Sequence, residues 1–127
     1  MKNPKDQSAA DSVMMEPREL AKSIAEILSN KKAADLRLLE VTDLTTLADY
    51  FIIATGTSAP HLKTLAEEVE YVLKKRGVMP NRIEGRSGGS WVLIDYGAVV
   101  VHLLMRDERE FYSIERLWSD AKDVEAP

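Results

Sequence analysis

The chain has no cysteine, which excludes disulfides, thiolate metal sites and thiol chemistry. Histidine is almost as scarce. His61 and His102 are the only imidazoles, and neither has a second His or a Glu four positions away, so no metal-ligand spacing is present. A lone His in a strand or a first helical turn is ordinarily structural or surface-exposed. No run approaches the roughly 20 consecutive apolar residues that a membrane-spanning helix needs, so no membrane partner is expected. Positive charge is not in excess either. With 17 Lys and Arg against 21 Asp and Glu, the net charge is -4, which argues against a protein that coats nucleic acid nonspecifically and makes a basic protein the easier partner. The first fifteen residues lack both the apolar core and cleavage site of a secretory signal and the Arg-rich, acid-poor character of a transit peptide. A reducing cytoplasm is the simplest compartment.

What is present suits one globular α/β domain: 127 residues, 45% hydrophobic and 30% charged, with enough apolar content for a single core. Residues 1–15 have few large apolar side chains and no periodicity, and are expected to be a disordered tail. Pro17 fits a first helical turn, and Leu20, Ile24, Ile27 and Leu28 share one face up to about Asn30. Leu36 to Val41 alternates as a strand. Asp49 to Thr55 carries the unbroken run Tyr50-Phe51-Ile52-Ile53-Ala54, the pattern of a strand covered on both faces and central in a sheet. Ser58 caps the next helix, Pro60 suits its first turn, Leu62, Leu65, Ala66, Val69, Val72 and Leu73 form its buried stripe, and Gly77 stops it. Strand, glycine turn, helix and strand make a βαβ-like unit, right-handed if the flanking strands pair in parallel. A short strand at Arg82 to Glu84 gives way to a turn from Gly85 to Ser90, and Trp91 to Asp95 and Ala98 to Met105 form a hairpin through Tyr96-Gly97. From about Asp107, Phe111, Ile114, Trp118 and Ala121 return to helical spacing. The expected domain is therefore residues 16–122, a mixed sheet of about five strands flanked by helices, with 123–127 frayed.

Sites of chemistry are harder to find. Gly56-Thr57-Ser58 lies at a strand-to-helix junction, where free amides bind phosphate and a glycine allows close approach. Nucleotidyl transfer at such a turn also needs paired carboxylates to hold magnesium. No Asp-x-Asp, Walker-type Gly-Lys-Ser or Gly-x-Gly-x-x-Gly occurs anywhere in the chain, which favours an ordinary capped turn over an enzyme. Ser58, His102 and Asp95 supply the residue types of a nucleophilic triad, but nothing in their spacing brings them together. The basic cluster Lys74, Lys75 and Arg76, with Arg82 and Arg86, suits a local phosphate contact, though cations in a last helical turn are also favoured by the helix dipole.

The most specific signal is an ordered string of landmarks: Asp43-Leu44-Thr45, then Asp49-Tyr50-Phe51-Ile52-Ile53-Ala54-Thr55-Gly56-Thr57-Ser58, His61, Glu84-Gly85, Trp91, Asp95-Tyr96-Gly97, Val101-His102, and Arg109-Glu110-Phe111-Tyr112 through Glu115 and Leu117-Trp118. In these the chain resembles the ribosomal silencing factor family, also called Iojap-like, over about residues 17–120. The resemblance implies a nucleotidyltransferase-like fold without catalytic residues or cofactor. It also implies a translational repressor that binds the large ribosomal subunit through large-subunit ribosomal protein fourteen. Such binding blocks joining of the small subunit and lowers translation under nutrient limitation or in stationary phase. Minor contacts to ribosomal RNA are compatible with it, and some relatives are homodimers when free. The alternative is an enzyme using Gly56-Thr57-Ser58. The binding surface is expected around the strand that begins at Trp91, with Glu84, Asp95, His102, Arg109 and Tyr112. Trp91 is either an edge of the core or an exposed interface anchor. Asp95 either meets a basic partner or caps the hairpin. Arg109, Tyr112 and Glu115 share one helical face by spacing, and either extend the contact or cover the sheet.

Overall fold

The computed structural model describes residues 15–85, 89–112, 116 and 119–124, without the side chains of Phe111 and Tyr112. In chain order the elements are α1 (Pro17–Asn30), β1 (Ala34–Glu40), β2 (Tyr50–Gly56), α2 (Ala59–Lys75), β3 (Arg82–Glu84), β4 (Trp91–Asp95), β5 (Val99–Met105), α3 (Arg106–Tyr112) and β6 (Lys122–Asp123). The six strands form one sheet in the order β3-β4-β5-β2-β1-β6.

β2 and β5 run parallel, with Tyr50 opposite Val99 and Gly56 opposite Met105, and every other strand pair is antiparallel. All of β2 is buried, as its unbroken apolar run requires of a strand covered on both faces. β2 and β3 do not pair: β5 and β4 lie between them, so α2 carries the chain across two strands, packing against β2, β5 and β4. The expected βαβ-like unit thus spans the sheet without joining neighbours.

α1 and α2 cover one face. Leu20, Ile24 and Leu28 of α1 and Leu62, Leu65, Val69 and Leu73 of α2 pack on Leu38, Ile52, Ala54, Val92, Ile94, Val101 and Leu103. Both helices end the same way. After α2, Gly77 is left-handed (φ 83) and its N–H reaches the Lys74 carbonyl, while Val78 N–H reaches Leu73. After α1, Lys32 takes that conformation (φ 65), with Ala33 N–H on Leu28 and Lys32 N–H on Ser29.

Four expectations are corrected. The sheet has six strands, not about five, and residue 123 is not frayed. β6 pairs with the end of β1, Val124 N–H donates to the Leu38 carbonyl at 2.8 Å, and the Val124 side chain is buried in the core. Asp123 also takes a forked hydrogen bond from Arg37. Nothing local marks this strand, because its pairing is with a segment some eighty residues earlier. Ala121 is not helical but a bend leading into β6, and Met15, assigned to the tail, packs against the core. Ile114, Trp118, residues 1–14 and residues 125–127 lie outside the described residues.

Gly56 closes β2 where α2 crosses it. A Cβ there would stand 2.9 Å from Leu62 Cδ1 and 3.0 Å from its Cα, so the missing side chain serves helix-on-strand packing. Gly56→Ala should lower stability by about 1–3 kcal/mol in urea unfolding, the range for overpacking a well-filled site; an unchanged midpoint would show that α2 can move away at no cost.

Candidate partner-binding face

The second face of the sheet is only partly covered. Alternation and register place Leu39, Phe51, Ile53 and Leu104 in a smaller cluster there, with Trp91, Val100 and Ala121 at its margin. α3 lies over the β2 and β5 end of this face. Toward β4 and β3 no described element covers it, and Trp91, Leu93 and Val100 are half-buried there. Arg82 pairs with Asp95 and Glu84 with Leu93 across β3 and β4, which puts both charges on the same face. A hollow of about 330 Å³ opens between Glu84, Gly85, Trp91 and Leu93. Gly85 shapes it: it is left-handed (φ 80), and a Cβ would fall 2.0 Å from the Trp91 carbonyl oxygen.

Of the six residues expected at the surface, four gather here. Trp91 is half-buried and its indole N–H donates to His102 Nδ1 at 3.4 Å. His102 is itself buried, with its ring edge-on to Phe51 at 5.4 Å. Asp95 caps the hairpin, its Oδ1 accepting from Gly97 N–H at 2.7 Å, and its other oxygen lies 3.5 Å from the Arg82 guanidinium. Glu84 is exposed and pairs with the same Arg82 at 3.0 Å. Arg82 thus answers both carboxylates, leaving this trio one net negative charge.

Arg109 does not join them. Arg109 is buried and its Nη1 donates to the Asp35 carbonyl at 2.6 Å and to Thr55 Oγ1 at 2.9 Å. It ties α3 to the bulge at the start of β1, where Asp35 is left-handed (φ 47), and Arg106 holds the Asp35 carboxylate at 2.9 Å. The side chains of Tyr112 and Glu115 lie outside the described residues. Leu93 and Val100 were not singled out from the sequence, although two-residue alternation from Trp91 and His102 puts them on this face.

The Gly56-Thr57-Ser58 turn spends its polar groups internally. His61 Nε2 faces the Lys31 carbonyl at 2.8 Å and so must be the protonated nitrogen, leaving Nδ1 to accept from Thr57 N–H at 2.9 Å. Ser58 Oγ in turn accepts from His61 N–H at 3.1 Å. A cleft of about 340 Å³ lies at the ends of β2 and β5, lined by Thr55, Gly56, Thr57, Met105, Arg106 and Asp107. Among the described residues no group of three or more His, Asp or Glu is placed to hold a metal ion. Nor, among the described residues, do the cations form one patch; Arg86 lies outside them. Lys74 and Lys75 end α2, with Lys75 Nζ 5.1 Å from the Tyr71 ring, Arg76 reaches Ser23, and Arg82 is on the opposite face of the sheet.

An α/β domain with one sheet face packed by helices and a partly covered second face bearing an indole, aliphatic side chains and a charged rim has the surface composition that macromolecular interfaces share. The family model described as "Ribosomal silencing factor during starvation" matches residues 14–127, and the chain belongs to that family. The ribosomal silencing factor RsfS of Halalkalibacterium halodurans is 37% identical over 111 residues, covering 87% of this chain and 95% of that one. A crystal structure of a Chromobacterium violaceum protein superposes with a TM-score of 0.80 at 41% identity, covering 83% of this chain and 88% of the other. The mouse protein named mitochondrial assembly of ribosomal large subunit protein 1 is 31% identical over 99 residues, 76% of this chain and 43% of that one. Among the described residues no helix is long and apolar enough to cross a membrane.

Burial pushes the His102 imidazole down from its ordinary 6.5 to about 4. The folded state therefore keeps His102 neutral while the unfolded chain takes up a proton below pH 6.5. This contribution to stability is fully present above pH 6.5 and is lost as pH falls from there through 4. Relative to a His102→Leu variant, the native chain should lose about 2 kcal/mol more between pH 7 and pH 5 in urea unfolding; parallel stability profiles for the two would show that His102 gains solvent and titrates normally.

Proposed function

We propose that this chain is a non-catalytic translational repressor that docks the β3–β4–β5 face onto the large ribosomal subunit, through large-subunit ribosomal protein fourteen, and so blocks joining of the small subunit. The observation that carries the reading is the half-open face itself: Trp91, Leu93 and Val100 beside a hollow, rimmed by Glu84 and Asp95, in a member of the ribosomal silencing factor family. An aromatic half-sunk among aliphatics is the usual anchor of an interface, because it buries much area at little rotamer cost. The acid excess of the rim and of the chain suits a basic ribosomal protein. The mouse relative's name places that protein in assembly of a large ribosomal subunit, which supports the choice of subunit. Such a protein acts where ribosomes are free, in the cytoplasm.

The test is co-sedimentation with isolated large subunits and with purified ribosomal protein fourteen at physiological salt. Native chain should bind both and be absent from assembled ribosomes, and naked ribosomal RNA should bind far more weakly. Trp91→Ala should keep the fold by circular dichroism and weaken binding by about 2 kcal/mol or more, with Leu93→Ala weakening it less. Tight binding to naked RNA, or normal binding by a folded Trp91→Ala variant, would move the surface elsewhere.

The competing enzymatic reading rests on Gly56-Thr57-Ser58. With Thr57 N–H held by His61 and Ser58 Oγ committed to the helix cap, the turn has little left to offer a triphosphate. Labelled nucleoside triphosphates with magnesium and cellular RNA should show no incorporation above a heat-killed control; transfer abolished by Ser58→Ala would overturn the non-catalytic reading.

A further inference from the structure

Three aromatic rings cross the partly covered face in a row, one on each of β4, β5 and β2. Trp91 and His102 are diagonal neighbours across β4 and β5, since Trp91 stands opposite Leu104 and Leu93 opposite His102. Their ring centroids are 6.1 Å apart, and His102 meets Phe51 edge-on at an interplanar angle of 72°. The exposures descend along the row: Trp91 is half-buried, while His102 and Phe51 retain only 9% and 8% of their accessible surface.

An indole N–H is a donor with no acceptor capacity, and a half-buried one that lacks an acceptor loses its water without replacement. His102 Nδ1 supplies an acceptor at 3.4 Å. That hydrogen bond is long, but it is directional, and the Phe51 ring behind the imidazole limits how far His102 can swing away. A side chain this buried has little surface to offer a partner, whereas the indole it holds stands at the hollow with Glu84, Gly85 and Leu93.

We infer that His102 is a positioning residue for Trp91: its Nδ1 fixes the indole in the orientation that a partner meets, without touching the partner itself. This rests on the reading that the β3–β4–β5 face binds the ribosome, and it adds how the anchor of that face is kept preorganised. Preorganisation matters because an anchor that must give up rotamer freedom on docking loses affinity by that amount.

The test uses the intact, 15N-labelled chain, with the Trp91 indole resonance assigned by its absence in Trp91→Phe. His102→Leu removes the acceptor and keeps apolar bulk, His102→Asn restores an acceptor at the δ position, and His102→Gln carries its acceptor one carbon further out. In His102→Leu the indole resonance should shift and its hydrogen exchange accelerate, and affinity for large subunits should fall about fivefold, the effect of one ordinary hydrogen bond. His102→Asn should recover most of that loss and His102→Gln little. In a Trp91→Phe background, His102→Leu should add no further loss. An equal loss in both backgrounds, equal affinities of the Asn and Gln variants, or an indole signal indifferent to His102→Leu would each overturn the inference. The Asn and Gln comparison stands even if the leucine variant does not fold. Should the native chain fail to bind large subunits, the docking reading falls, while the indole resonance still decides whether His102 holds Trp91.

Discussion

The parallel pairing of β2 with β5 is the constraint on which the rest of the structure depends. Two adjacent parallel strands cannot be joined by a tight turn, so the chain must leave the sheet and return. It leaves β2 through α2 on one face and leaves β5 through α3 on the other. A seventeen-residue helix buries the first face from β2 to β4. The described part of α3 lies over the β2 and β5 end of the second. The open area at β3 and β4 is the part of that face which no described element reaches.

Most of the charge and hydrogen-bonding capacity near that face is used inside the molecule. Arg109 and Arg106 pin the left-handed Asp35 at the β1 bulge, a backbone conformation that needs outside support in a non-glycine residue. Arg82 sits between Glu84 and Asp95, and His61 joins the end of α1 to the turn before α2. What is left facing outward is mainly apolar surface. In the proposed docking, shape and burial of Trp91, Leu93 and Val100 would set the affinity of the face, and the acidic rim would set which partner is admitted and how fast it arrives.

The local chemistry of the chain was sufficient for most elements. Pro17, Ser58, Pro60 and Gly77 mark helix ends by mechanisms confined to a few neighbouring residues. The run Tyr50 to Ala54 identifies a doubly covered strand, because only such a strand places every side chain in apolar surroundings. Asp95 as a hairpin cap follows from its near neighbours at the Tyr96-Gly97 turn, one of the two roles its position allowed.

Wherever the decisive partner is distant in the chain, only the tertiary structure could decide. β6 has two residues and no propensity that marks it; it is a strand because Leu39 and Glu40 present a free edge. Helical spacing put Arg109 on a face with Tyr112 and Glu115, but whether that face met solvent depended on where α3 docked, and it docked with Arg109 over Thr55. His102 was equally ambiguous as an isolated imidazole until the β4–β5 register set it between Trp91 and Phe51. By itself the sequence determined most of the elements, their apolar faces and the family; packing alone determined which polar side chains are spent holding the fold and which face is left partly uncovered, because burial depends on residues that are close in space and far apart in the chain.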